Sequence, residues 1–128
     1  MLGRTMRYTV QQNRVKEDSQ GMGTVHMVLG ILLIVLAVIA TFLEVSRRSG
    51  VPKGLRGAVI GLLDLEVLLG IATWIFVTKP HSIWHPIFMV VGVICVHIFT
   101  RSNNGKSSRV LGWILADVLM ILGAVLFR

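Results

Sequence analysis

One cysteine, Cys95, stands alone in the 128 residues, so no intrachain disulfide can form and the small stapled folds of secreted proteins are excluded. Proline is nearly as rare. Of its three copies, Pro52 and Pro80 sit between apolar runs and Pro86 at the start of the third, so the middle of each run is free of the residue that breaks helices. Charge is scarce too, at 15% of the chain, and acids most of all, with six against thirteen lysines and arginines. A soluble domain needs more polar surface than that to cover itself. Several chemical signatures are missing as well. There is no Cys-x-x-Cys-His for covalent haem, no phosphate-cradling glycine loop, no zinc-type Cys/His spacing and no Ser/His/Asp set, which removes support for hydrolytic or nucleotide-dependent enzymology.

What is present is apolar sequence in long runs. Hydrophobic residues make up 54% of the chain, and mean hydropathy is +0.76. Four runs, at about 22–45, 57–77, 83–100 and 110–127, are long enough to cross a hydrocarbon core of about 30 Å as helices. The segments between them are short and carry breakers: Gly50, Pro52 and Gly54 in the first, Pro80 in the second, and Asn103-Asn104-Gly105 in the third. Short connections place successive helices side by side and opposed. The expected fold is therefore an all-α, integral membrane, antiparallel four-helix bundle, residues 22–128, behind a polar basic tail, residues 1–21. That tail, with Arg4, Arg7, Arg14 and Lys16, is too long for the n-region of a signal peptide and is expected to lie on the membrane surface or on a partner.

A net charge of +7 in a soluble protein would suggest nucleic acid. Here the basic residues flank apolar runs, so they set topology and meet anionic lipid headgroups, and no nucleic-acid partner is expected. The first and third loops carry Arg47, Arg48, Lys53, Arg56, Arg101, Lys106 and Arg109 without an acid. The positive-inside rule then favours those loops in the cytoplasm and both termini outside, in a multi-pass membrane protein.

Chemistry is most concentrated in HSIWHPIFMVVGVICVH, residues 81–97, which holds three of the four histidines. Pro86 suits a first helical turn, since its missing N–H would be unpaired there anyway. The helix is therefore predicted to begin near Ile83, with His85 just inside. Twelve residues separate His85 from His97, about 18 Å along a helix and about 120° around it, so the two cannot share a ligand. His26, near the start of the first run, shares His85's end of the bundle, and His81 lies in the adjoining turn. His26 lies near one stripe with Gly30, Leu33, Ala37 and Glu44; His85 shares one with Met89, Gly92 and Val96. Two histidines at one depth on diagonal helices, each beside a glycine, suit a porphyrin held between two imidazoles. The alternative is an interfacial histidine bonded to a headgroup or a loop carbonyl.

The opposite end holds the acids. A carboxylate within a bilayer costs about 2.5–3.5 kcal/mol, so it normally faces an interior, pairs, or lines a proton path. Glu44 has Arg47 or Arg48 as a partner one turn on. Asp64 and Glu66 are about 200° apart on their helix, so at most one faces the bundle centre. Asp64 shares a stripe with Gly57 and Gly61, and Glu66 with Gly70 and Thr73. Glu66, Asp64, Asp117 and His97 are the candidates for proton handling, with protonated structural carboxyls as the alternative.

A first run opening with a histidine, a second containing Leu-Asp-Leu-Glu-Val-Leu-Leu-Gly, and a third that opens His-Pro and closes with a histidine resembles the small four-helix bacterial membrane proteins of the cytochrome b-like type. The resemblance spans Val25 to Phe127. It implies haem ligation by His26, His85 and, as a further candidate, His97 in respiratory or photosynthetic electron transfer in a prokaryotic cell membrane. The first reading is accordingly an electron-transfer or accessory subunit with one haem b held by His26 and His85 and a quinone or another membrane subunit as partner. The chain departs from di-haem b-type cytochromes, because His97 has no histidine on the second or fourth run to pair with. Two other readings stand beside this one: a cofactor-free structural subunit of a larger membrane complex or homo-oligomer, and a small proton or ion transporter using Glu66 and Asp117. No internal repeat supports the transporter.

Overall fold

The computed structural model describes residues 2–76 and 82–126. His81, Lys79 and the ends of the second and fourth apolar runs lie outside the described residues. Four helices account for nearly all of the rest: α1 Leu2–Ser46, α2 Lys53–Phe76, α3 Trp84–Phe99 and α4 Lys106–Leu126. Among the described residues there is no strand. Three helices, α1, α2 and α4, are long and apolar enough to cross a membrane. With 16 residues, α3 is about 24 Å long and shorter than its apolar run. Its start agrees with the expected one, with Ile83 at the N-cap position. It stops at Thr100, whose hydroxyl folds back on the Val96 carbonyl at 2.6 Å while its N–H donates to the same oxygen at 3.0 Å.

The polar tail is part of α1. No helix breaker separates residues 2–21 from the apolar run, because Gly21 and Gly23 weaken a helix without ending it. Thr9, Ser19 and Thr24 donate to carbonyls three or four residues back.

Each helix packs against two others, in the cyclic order α1, α2, α3, α4, so α1 and α3 lie across a diagonal. The interior mixes alanines and close backbone approaches with larger side chains, Trp113, Leu33, Leu63 and Met120 among them. Ala37 and Ala116 have no exposed surface. Gly112 sits so close to α3 that an added Cβ would come within 2.6 Å of the Phe99 Cβ, and one at Gly123 within 3.2 Å of the Phe88 Cβ. Large apolar residues also cover the outside: Ile31, Leu32 and Phe42 on α1, Leu65 and Leu68 on α2, Ile94 and Ile98 on α3, Val118 and Ile121 on α4 are all exposed. Outward faces this apolar differ from those of a water-soluble bundle, which carry charged and polar residues.

The first and third loops are closed over one buried carboxylate. Glu44 is fully buried; its Oε1 accepts from Arg109 Nε at 2.6 Å and its Oε2 from the Val51 N–H at 2.9 Å. The partner expected for Glu44 was Arg47 or Arg48, one turn along. The structure replaces them with an arginine 65 residues away, because loop 47–52 folds over the carboxylate and α4 begins beside it. Gly50, at φ 70°, makes that fold possible: a Cβ there would strike the Glu44 carboxylate. Lys106 Nζ donates to the Val45 carbonyl at 3.0 Å, and Arg56 donates to the Thr100 carbonyl at 3.1 Å.

Candidate functional site

His26 on α1 and His85 on α3 meet across the diagonal. Their ring centroids are 6.1 Å apart and the planes stand at 89°. His85 is oriented by its Nδ1, which lies 2.8 Å from the Gly123 carbonyl. A carbonyl only accepts, so Nδ1 carries the proton and donates, leaving Nε2 of a neutral ring with a free lone pair. Gly123 belongs to the last turn of α4, where a helix leaves carbonyls unpaired. His85 thus completes the end of a neighbouring helix.

His26 is held differently. Its Nδ1 lies 2.8 Å from Oε1 of Glu66, with 19% and 9% of the two side chains exposed. Distance alone does not make this a hydrogen bond, since neither atom meets bonding geometry and Oε2 of Glu66 is also unpartnered. The contact is a close imidazole–carboxyl pair with unused bonding capacity. Two glycines make room for it: a Cβ at Gly70 would lie 2.9 Å from His26 Cε1, and one at Gly30 3.1 Å from Glu66 Oε1.

A cavity of about 30 Å³ joins His26, Glu66 and His85, with apolar walls that include Leu33, Met89 and Met120. One or two water molecules fit such a space. If a haem were bound, His26 and His85 would be the residues to hold its iron, each with Nδ1 beside an acceptor, the outer contact that orients metal-binding histidines. The packed interior is another matter, because a macrocycle needs many times 30 Å³ and is excluded while the helices stay in this arrangement. Among the described residues no three His, Cys, Asp or Glu side chains converge to hold a metal ion by themselves.

The other candidates lie elsewhere. Asp64 and His97 pair with each other at 2.8 and 3.1 Å, joining α2 to α3, and are about half exposed. Glu66 is therefore the inward acid of its pair and Asp64 the outward one. Asp117 on α4 is buried, and its Oδ2 accepts from the Thr41 hydroxyl at 2.6 Å while Oδ1 has no partner. Trp113, one turn before it, is also buried and its Nε1 is unpartnered. Asp64, His97 and Asp117 do not line the histidine cavity. Sequence reasoning missed the Gly123 carbonyl, a backbone group with no side-chain signature, and the partnership of Thr41 with Asp117. Glu66 had been placed with the acids at the far end. Its stripe with Gly70 did hold the clue, since Gly70 proves to be the surface on which His26 rests.

No family model, no curated protein and no solved structure matches the chain, so the likeness to cytochrome b-like proteins rests on the quoted motifs alone.

Proposed function

We propose that the chain is an integral membrane protein whose four helices cross the bilayer in alternating directions, and that it serves as an electron-transfer or accessory subunit holding one b-type haem between His26 and His85. Aliphatic side chains covering the outward faces of all four helices support the membrane setting. Contact pairs support opposed neighbours: on α3 and α4, Phe88 meets Gly123 while Phe99 meets Gly112, numbers rising on one helix as they fall on the other.

The observation that carries the haem reading is the diagonal imidazole pair. Two nitrogens from the protein complete an iron only when its other ligands come from elsewhere, as they do in a porphyrin. Uptake requires α1 and α3 to move apart, and the flexible Met89 and Met120 in the cavity wall can repack around a larger occupant. When bound, such a group supplies one-electron chemistry, with a quinone or a neighbouring subunit as exchange partner. His85 keeps its orientation through Gly123, and Glu66 lies against His26 as a close polar neighbour.

A second reading has its own observation. A water-sized cavity beside an unpartnered buried carboxyl fits a cofactor-free subunit in which His26 and Glu66 hold and pass a proton through one or two waters. An optical spectrum of protein expressed with haem supplied separates the two. Sharp α and Soret bands of a six-coordinate haem on reduction are expected; a colourless preparation rejects the haem and leaves the proton reading.

A further inference from the structure

We propose that the groove between the C-terminal end of α1 and the first turns of α4 binds one anionic phospholipid from the surrounding bilayer. The proposal rests on the membrane reading and is independent of the haem. The groove, about 440 Å³ and open on one side, is lined by Val45, Lys106, Ser107, Val110, Leu111 and Ile114. Its two ends differ in chemistry. Lys106 and Ser107, both exposed, form a polar mouth, while Val110, Leu111 and Ile114 form an apolar wall that continues to about 12 Å from the mouth along α4. A phosphate joined to an acyl chain has that same division.

Charge decides which phospholipid. The Lys106 ammonium is fixed at the mouth by its bond to the Val45 carbonyl at 3.0 Å, and an ammonium has two further N–H groups to give a phosphate. The Ser107 hydroxyl is a second donor. Two and three residues beyond Val45, Arg47 and Arg48 are exposed, as are Lys53 and Arg101 on the same side. The acid nearest this rim, Glu44, is fully buried and turned inward onto Arg109 and Val51. No carboxylate at the mouth therefore offsets the cations or welcomes a choline head, and the groove selects net negative lipid.

The test is native mass spectrometry of the full chain released from mixed phosphatidylglycerol and phosphatidylcholine micelles. One phosphatidylglycerol is expected to be retained in preference to phosphatidylcholine. Lys106→Gln should lower that retention about fivefold, the weight of one basic residue near a headgroup. Leu111→Trp, which fills the groove without changing charge at a surface position, should lower it comparably. Arg101→Gln, on the same side but outside the groove, should change it less than twofold. Glycerol phosphate, a head without chains, should not compete. Equal retention of the two lipids, an equal loss with Arg101→Gln, or full competition by glycerol phosphate overturns the proposal. Extraction of the protein from membranes by alkaline carbonate would instead overturn the membrane reading beneath it.

Discussion

Glu66 Oε1 lies 2.8 Å from His26 Nδ1, yet both carboxyl oxygens lack a hydrogen-bond partner. The pair is therefore a polar cluster with spare bonding capacity at a place where α1, α2 and α3 bring titratable groups together. Spare capacity in a buried site is expensive unless something uses it, about 1–3 kcal/mol for each unsatisfied group.

The histidines differ in what their loss should do. On the proposed haem reading, His26→Ala and His85→Ala are each expected to abolish the reduced Soret and α bands of haem-supplied protein, because each would remove one of the two nitrogens proposed to hold the iron. His97→Ala should leave most of the absorbance, since His97 pairs with Asp64 at the surface. Loss of the bands with His97→Ala alone would place the cofactor on the wrong side of the bundle.

Replacing Glu66 by leucine removes the unsatisfied carboxyl while filling much of its volume. Thermal stability in detergent should stay equal or rise, by up to about 2 kcal/mol, if the interior is dry. A fall of that size would mean that waters or a ligand in the cavity satisfy the carboxyl. Glu66→Gln, which keeps the shape, should leave assembly unchanged and slow any proton-coupled turnover.

The Glu44–Arg109 pair gives the opposite expectation. Glu44 has no exposed surface and Arg109 little, so Glu44→Ala strands a buried guanidinium and should cost about 3–5 kcal/mol. Arg109→Met in that background should recover much of the loss. A single-substitution cost below about 1 kcal/mol, measured by denaturation in detergent, would show that Arg109 reaches water once freed.

Two glycine substitutions separate close helix packing from open surface. Gly112→Ala places a Cβ against the Phe99 Cβ, an atom too near the backbone to swing aside, and should destabilise by about 1–3 kcal/mol. At Gly61 an added Cβ meets nothing within 4 Å, so Gly61→Ala should keep or raise the thermal stability of the single chain, by up to about 1 kcal/mol of helix propensity. A changed oligomeric state in Gly61→Ala, by analytical ultracentrifugation, would show a second copy packed on that face.

Topology can be read from the third loop. With Cys95→Ser as background, a cysteine at Ser102, an exposed position, should react with a membrane-impermeant maleimide only after the cells are permeabilised. Labelling of intact cells would reverse the orientation drawn from the basic loops.

Much of the fold was legible in the chain itself. Apolar runs and the glycines, prolines and asparagines between them set the number of helices and the approximate limits of all but the start of α1, which runs on through the polar tail to Leu2. Helix formation and its interruption depend on local residues. Spacing also established that Asp64 and Glu66 could not face the same way, and that His85 and His97 could not act together, since angles within one helix follow from sequence separation.

The absolute rotation of each helix was a different matter, being fixed by what it packs against. Only the packed bundle determined that Glu66 turns inward to His26 and Asp64 outward to His97. Local spacing favoured Arg47 or Arg48 for Glu44, and the fold chose Arg109, because loop closure around Gly50 buried the carboxylate where only a residue of α4 could reach it. The Gly123 carbonyl that orients His85 had no signature in the sequence at all. It is a backbone group shared by every residue, and its availability comes from α4 ending beside α3.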